Sequence, residues 1–123
     1  NFWPFYFLEP QYVGITIHKI SKEIDSGNIL HQSLPKLSYG DKIHDVASKS
    51  LIKVCEDLRK LIVLKNKKRW IYFPQKNMGK LFLNKDFKPQ HLRIVYNYFE
   101  NKIVDMYLDR KLLKNKPKII KAI

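Results

Sequence analysis

A polar loop between two apolar segments carries the residues of this chain that are best suited to chemistry. Gly14 precedes an alternating run over Ile15–His18, which is typical of a half-buried strand, and Ile29–Leu34 resumes an extended, mostly apolar pattern. Asp25 lies between them, before a Ser-Gly turn. A carboxylate held on such a loop has a fixed position, as an acid–base catalyst requires. The same Asp could equally serve only to hydrogen-bond its own backbone.

The residues of this region also follow a recognisable motif. It reads Gly14-Ile15-Thr16-Ile17-His18, a short gap, and then Ile24-Asp25-Ser26-Gly27-Asn28-Ile29-Leu30-His31-Gln32. The motif resembles the second half of the catalytic domain of the formyltetrahydrofolate-dependent formyltransferases. That family includes glycinamide ribonucleotide transformylase, methionyl-tRNA formyltransferase and the nucleotide-sugar N-formyltransferases. The opening Asn1–Phe5 resembles the Asn-x-x-Trp helix before this strand, and Asp41–Leu64 falls where the family has a long helix.

The resemblance implies a fold and a division of the chain. We expect an α/β structure, the C-terminal part of a formyltransferase-like Rossmann-type domain, with few strands flanked by about three helices. Residues 1–64 would form the C-terminal half of the catalytic domain, and residues 65–123 a basic α+β extension. The family's catalytic Asn-x-His pair does not occur in the sequence. We expect that pair upstream of Asn1, so this chain alone should be inactive.

The same resemblance assigns site residues. Asp25 matches the catalytic Asp, which orients the family's His and helps to relay protons through water while an amine attacks the formyl carbon. His18 occupies a recurrent His position, although a merely hydrogen-bonded strand histidine fits as well. Gly27 would permit a positive φ or a close ligand approach, or it could be a plain turn glycine. The loop that binds the folate pterin ring corresponds to Ser21, Lys22, Glu23, Ile24, Ser26 and Gly27.

The implied reaction moves a formyl group from 10-formyltetrahydrofolate to an amine. Methionyl-tRNA formyltransferase carries a C-terminal RNA-binding barrel, and the residues after Leu64 are too few for one. A small acceptor, such as a nucleotide amino sugar or glycinamide ribonucleotide, is therefore favoured. We expect no metal, because His31, His44 and His91 lack a ligand spacing with nearby carboxylates.

Composition supports a second hypothesis. The net charge is +13, with basic clusters at Lys65–Arg69 and near the C-terminus. A solvated surface is the ordinary explanation, but the charge could also attract nucleic acid or another anion. The alternative function is thus a non-catalytic basic binding module, or a gene fragment, that associates with nucleic acid or a partner chain. The aromatic N-terminus would then contact another chain, or the missing N-terminal half of the domain.

Length, cysteine content and hydropathy set further expectations. The 123 residues allow one domain at most. The lone Cys55 fits a reducing, cytoplasmic setting, and no apolar run approaches the ~20 residues of a membrane span. Periodicity predicts an amphipathic helix over Asp41–Leu64 with Ser38 or Asp41 as its N-cap. The other predicted elements are strands at Trp70–Phe73 and Lys80–Leu83, a turn at Asn77–Gly79, a helix from Pro89 to a break at Asn101-Lys102, and further helical turns over Ile103–Leu108.

Overall fold

A computed structural model describes residues 2–66, 70–75, 82–112 and 115–123. Within these residues the protein has a two-stranded antiparallel sheet and four α-helices, so the mixed α/β class is confirmed. We number the elements α1 (Trp3–Tyr6), β1 (Ile15–His18), β2 (Ile29–Ser33), α2 (Ile43–Lys65), α3 (Pro89–Glu100) and α4 (Ile103–Leu108). Short 3-10 helices cover Pro10–Tyr12 and Asn84–Asp86.

The two strands form the hairpin that the alternating sequence predicts. Ile15 pairs with Ser33 and Ile17 with His31, and a bulge then shifts the register so that His18 pairs with Ile29. Such a bulge bends the strand and re-aims the side chains next to it. The hairpin therefore changes direction at His18, where the loop begins.

Two later segments contact the other edge of β2. Phe73 forms an isolated antiparallel bridge with Ile29, and the backbone N–H of Gln32 donates to the carbonyl of Ile120 at 2.8 Å. The predicted strand Trp70–Phe73 is therefore reduced to a single bridge. Phe82 and Leu83 belong to no strand, and the rest of that prediction, with the turn at 77–79, lies outside the described residues.

Helix α2 confirms the predicted amphipathic helix but not its cap. It begins at Ile43 after Lys42, whose backbone N–H donates to the Asp45 carboxylate at 2.8 Å. The Asp41 carboxylate instead accepts from the backbone N–H of Ser38 at 2.9 Å, so these two residues close the preceding turn. A carboxylate in the first helical turn also interacts favourably with the helix dipole. Asp45, inside the first turn, therefore accepts from the amide that precedes the helix, and the prediction of Ser38 or Asp41 as the N-cap is wrong.

The remaining helices build the main core together with the N-terminal segment. Pro89 is at the start of α3, as predicted, and Lys102, with φ of 58°, separates α3 from α4. The buried core cluster consists of Phe5, Val13, Val46, Val95, Phe99, Ile103 and Val104. Its members come from both predicted segments, 1–64 and 65–123. The division into two units stays a prediction, and the two segments share one core.

The N-terminal aromatic residues pack mainly against the second half of the same chain. Trp3 stacks on Phe82 with ring centroids 4.2 Å apart, and Phe5 contacts Phe99 at 4.6 Å. Phe7 and Leu8 remain exposed at the edge of this cluster. Much of the surface that we assigned to a missing half or a partner is thus covered internally. In the described part of the chain, no helix combines the length and apolar character that crossing a membrane would need.

Candidate functional site

The hairpin loop is braced by its own serines. The Ser21 hydroxyl donates to the carbonyl of Glu23 at 2.9 Å, and the Ser26 hydroxyl donates to the same carbonyl at 3.1 Å. The two hydroxyl oxygens lie 2.8 Å apart. At the base of the loop, the backbone N–H of Lys19 donates to the carbonyl of Asn28 at 2.9 Å. Ser21 and Ser26, which the sequence placed against a ligand, therefore hold the loop in shape.

Gly27 is required by a close backbone approach. A Cβ added there would overlap the carbonyl oxygen of Lys19 and lie 2.8 Å from its carbonyl carbon. Any larger residue would push the returning chain away from the end of β1. The left-handed conformation of the loop belongs to Asp25, with φ of 53°. Asp tolerates that conformation better than most residues because its short side chain can hydrogen-bond locally.

The loop brings Asp25 beside His18. Asp25 Oδ1 lies 3.6 Å from His18 Nε2, and His18 Nδ1 lies 3.1 Å from the carbonyl of Lys19. A carbonyl can only accept, so this contact requires a proton on Nδ1, and Nε2 attracts the carboxylate only when the ring carries its second proton. The Asp25 side chain is 78% exposed and that of His18 is 26% exposed. The pair is accessible to a ligand, and solvent screens its attraction.

Both residues line a cavity of about 310 Å³ on one face of the hairpin. Its lining is mostly polar and comprises Thr16, His18, Asp25, Ile29, Gln32 and Gln75. A volume near 300 Å³ is at the lower end of the range for small-molecule sites. The other predicted cofactor residues lie elsewhere: Lys22, Glu23 and Ile24 are exposed on the loop, and Gly27 is buried behind it. The described lining includes none of these four, nor the two serines.

Two glutamines of this cavity were missed by the sequence reasoning. Gln75 Nε2 donates to the carbonyls of Asp25 and Gly27, at 2.8 and 2.7 Å. Gln32 Nε2 donates to Thr16 Oγ1 at 3.4 Å, and Gln32 Oε1 accepts from the backbone N–H of Ile120 at 3.0 Å. Gln32 is the last residue of the recognised motif, so the sequence did contain a signal for it. Gln75 follows a proline far along the chain, and no local pattern marks it.

A second polar cluster is buried between β2 and α2. The Asp57 carboxylate, 3% exposed, lies 3.3 Å from His31 Nε2 and accepts from the Ser33 hydroxyl at 2.8 Å and from Lys53 Nζ at 2.6 Å. Burial raises the pKa of Asp57, but the hydrogen bonds from Lys53, Ser33 and His31 outweigh it and hold the pKa below its ordinary value. His31 Nδ1 accepts from the backbone N–H of Ala122 at 3.1 Å. The cluster joins helix, strand and C-terminal segment.

The site's chemistry is that of a carboxylate, an imidazole and amides. Across the residues that the structure describes, no group of three or more His, Cys, Asp or Glu could hold a metal ion. Comparisons with protein-family models, with curated proteins and with solved structures gave no match. Any assignment of function therefore depends on the motif and on this geometry.

Proposed function

We propose that this chain supplies the folate-side part of a formyltransferase site. The observation that carries the proposal is the meeting of His18 and Asp25, two residues of the motif, in one ligand-sized cavity. The loop between them is held rigid by hydrogen bonds and by the close approach at Gly27. Rigid placement of a carboxylate is what distinguishes a catalytic loop from an ordinary turn.

In this proposal, 10-formyltetrahydrofolate supplies the formyl carbon that the acceptor amine attacks. Asp25 accepts a proton through water as the amine loses it, and that proton returns to N10 of the folate as the bond from N10 to the formyl carbon breaks. The same carboxylate orients a cationic imidazole in the site. His18 holds the carboxylate from the strand side. Gln32 has one amide N–H left to donate, and the side-chain carbonyl oxygens of Gln32 and Gln75 can accept, so the cavity offers both kinds of partner to a heterocycle such as a pterin. The imidazole that polarises the formyl oxygen in the family must come from outside this sequence, since the Asn-x-His pair does not occur in it.

A binding measurement tests the proposal without requiring turnover. We expect 5-formyltetrahydrofolate, a stable formyl-folate, to bind the chain in isothermal titration calorimetry. Asp25→Asn should weaken this binding about tenfold, since a hydrogen bond to a charged group is worth about 1.5–3 kcal/mol and this carboxylate is largely exposed. Glu56→Gln removes one negative charge from the exposed side of α2 and is the matched control. Equal affinity of the wild type and Asp25→Asn for the ligand would show that Asp25 does not contribute to the site.

Exposed lysines favour one other candidate function, a basic module that binds nucleic acid. Lys116, Lys118 and Lys121 are exposed on the C-terminal segment. Phosphate contacts make such binding strongly salt-dependent, with losses of about 10³–10⁵ between 50 and 200 mM salt for 6–10 contacts. A filter-binding titration with single-stranded RNA across that range separates the two functions. Weak binding at low salt would exclude the basic module.

A further inference from the structure

Gln75 connects the hairpin loop to a distant part of the chain. A single amide nitrogen, Nε2, donates to the carbonyl of Asp25 at 2.8 Å and to that of Gly27 at 2.7 Å. A glutamine amide has two N–H groups, so both are used on the loop backbone. The two acceptors flank Ser26, and 48 to 50 residues separate them from Gln75. One side chain thus clamps three consecutive residues of the loop from outside.

The clamp acts on the loop residue that has a positive φ. Asp25 has φ of 53°, in the left-handed region that non-glycine residues adopt rarely. Fixing its carbonyl fixes the peptide plane after its Cα and hence the direction in which the side chain leaves the backbone. The carboxylate is 78% exposed, so little other packing determines where it lies. The hydrogen bonds to Gln75 are therefore the main external constraint on its position.

Gln75 is itself held in register with β2. Two residues earlier, Phe73 exchanges backbone hydrogen bonds with Ile29, at 2.7 and 2.8 Å. Pro74, which lies between Phe73 and Gln75, has a restricted φ, and this limits the conformational freedom of the chain leading to Gln75. The amide is thus brought to the loop by a segment that is bridged to β2, the strand on which the loop ends. Strand β2, the bridge from Phe73 and the hydrogen bonds from Gln75 therefore form one connected hydrogen-bonded network beside the cavity.

The geometry assigns to Gln75 the role of a positioning residue, which holds the Asp25 carboxylate beside His18. The role rests on the proposed function for its purpose, but its physical content is independent of any ligand. Gln75 acts through the loop backbone, and its own side chain also lines the cavity. Without the clamp, Asp25 would leave the left-handed conformation and its carboxylate would move away from the imidazole.

Three variants test this role by NMR. In Gln75→Ala the loop should open more often, and the amide of Lys19, which donates to Asn28 across the loop base, should exchange about tenfold faster. Gln75→Glu keeps the shape but at pH 7 presents a carboxylate to two carbonyl oxygens, so it should be at least as open. Protonation below about pH 4.3 restores one donor and should slow the exchange again relative to the intrinsic rate of the amide at the same pH. Gln90→Ala, at an exposed position in α3, is the control and should match the wild type.

A second readout follows Asp25 itself. In the wild-type background, Asp25→Asn should shift the imidazole resonances of His18, because the carboxylate lies beside the ring. In the Gln75→Ala background the same substitution should shift them far less, since the carboxylate has already left. A role in packing alone predicts that Gln75→Glu behaves as the wild type at pH 7 and that the Asp25→Asn shift is unchanged. Either of those results overturns the assignment.

The outcomes for Gln75 and for the proposed function are distinguishable. If the loop opens in the Gln75 variants and formyl-folate affinity falls with it, both stand. If the loop opens but neither wild type nor variants bind formyl-folate, the clamp stands and the folate proposal fails. If loop exchange and the His18 shift are unaffected, Gln75 is not a positioning residue, whatever the affinity.

Discussion

At the scale of single residues, the loop separates two roles that are often combined in one glycine. Asp25 takes the left-handed conformation, whereas Gly27 is needed because the returning chain lies against the carbonyl of Lys19. The motif identified both positions from the sequence. It did not reveal which of them has the positive φ, because that depends on how closely the two ends of the loop approach. The structure therefore gives Gly27 a steric role and the left-handed conformation to Asp25.

Gly27→Ala should displace the loop. An added Cβ meets backbone atoms that cannot rotate away, so we expect a loss of about 1–3 kcal/mol in the free energy of unfolding, as for overpacked sites. Faster exchange of the Lys19 amide should accompany it. Gly40→Ala is the control for the loop: Gly40 lies outside the hairpin, and a Cβ there meets no atom within 4 Å, although its φ of 79° adds some backbone strain. Unchanged stability and exchange in Gly27→Ala would contradict the close approach.

The buried Asp57 carboxylate should make stability depend on pH. Its folded-state pKa is lowered, so the ionised form stabilises the fold above the unfolded-state value of about 3.9, and this contribution is lost as the pH falls below it. Asp57→Asn should cost about 1.5–3 kcal/mol at pH 7, the usual value of a hydrogen bond to a charged group, because the Lys53 ammonium that loses its partner is partly exposed. Urea unfolding at pH 7 and at pH 3 measures the free-energy cost of the substitution and the dependence of stability on pH. A penalty for Asp57→Asn that is the same at both pH values would contradict the assigned role.

At the scale of elements, local patterns predicted the elements that local chemistry decides. The hairpin follows from the alternating apolar and polar residues of β1 and from the extended, mostly apolar pattern of β2. Helix α2 follows from apolar residues at helical spacing over six turns. The cap of α2 was misplaced by a few residues because Ser38, Asp41 and Asp45 are all suitable acceptors, and only backbone geometry selects Asp45. The contacts of Phe73 and Ile120 with β2 were not predictable, because each is a single pairing without periodicity.

Asp45 should contribute to α2 as an N-terminal cap. Removing its carboxylate in Asp45→Ala leaves the backbone N–H of Lys42 without its acceptor, and such caps are typically worth about 1 kcal/mol. Thermal unfolding followed by circular dichroism measures the loss. Glu56→Ala, on the exposed side of the same helix, should change stability by less than about 0.5 kcal/mol. Equal effects of the two substitutions on stability would show that Asp45 does not cap α2.

At the scale of the whole molecule, one core unites the two segments that the sequence seemed to separate. The boundary at residue 64 was placed where the recognised motif and its helix end, and the core has members on both sides of it. Phe5 from α1 meets Phe99 from α3 with ring centroids 4.6 Å apart, and both rings are buried. Such a long-range contact has no signal in a single sequence beyond the apolar character of its members.

The substitution Phe99→Ala tests whether the two segments depend on one core. Removing a buried Phe side chain costs about 3–5 kcal/mol, and here the loss should be felt by both segments, because the cavity lies between them. Hydrogen exchange should then accelerate in α1 as well as in α3. Tyr96→Ala, at a more exposed position of α3, is the control. Acceleration confined to α3 would indicate two independent units.

We propose that the hairpin cavity binds a formyl-folate. Chemical-shift mapping with 5-formyltetrahydrofolate on the labelled chain tests it most directly. Binding in the cavity should produce saturable shifts concentrated at His18, Asp25, Gly27 and Gln75, and smaller shifts in the Asp25→Asn variant at equal ligand concentration. Shifts confined to the exposed lysines of the C-terminal segment, or no shifts at millimolar ligand, would contradict it.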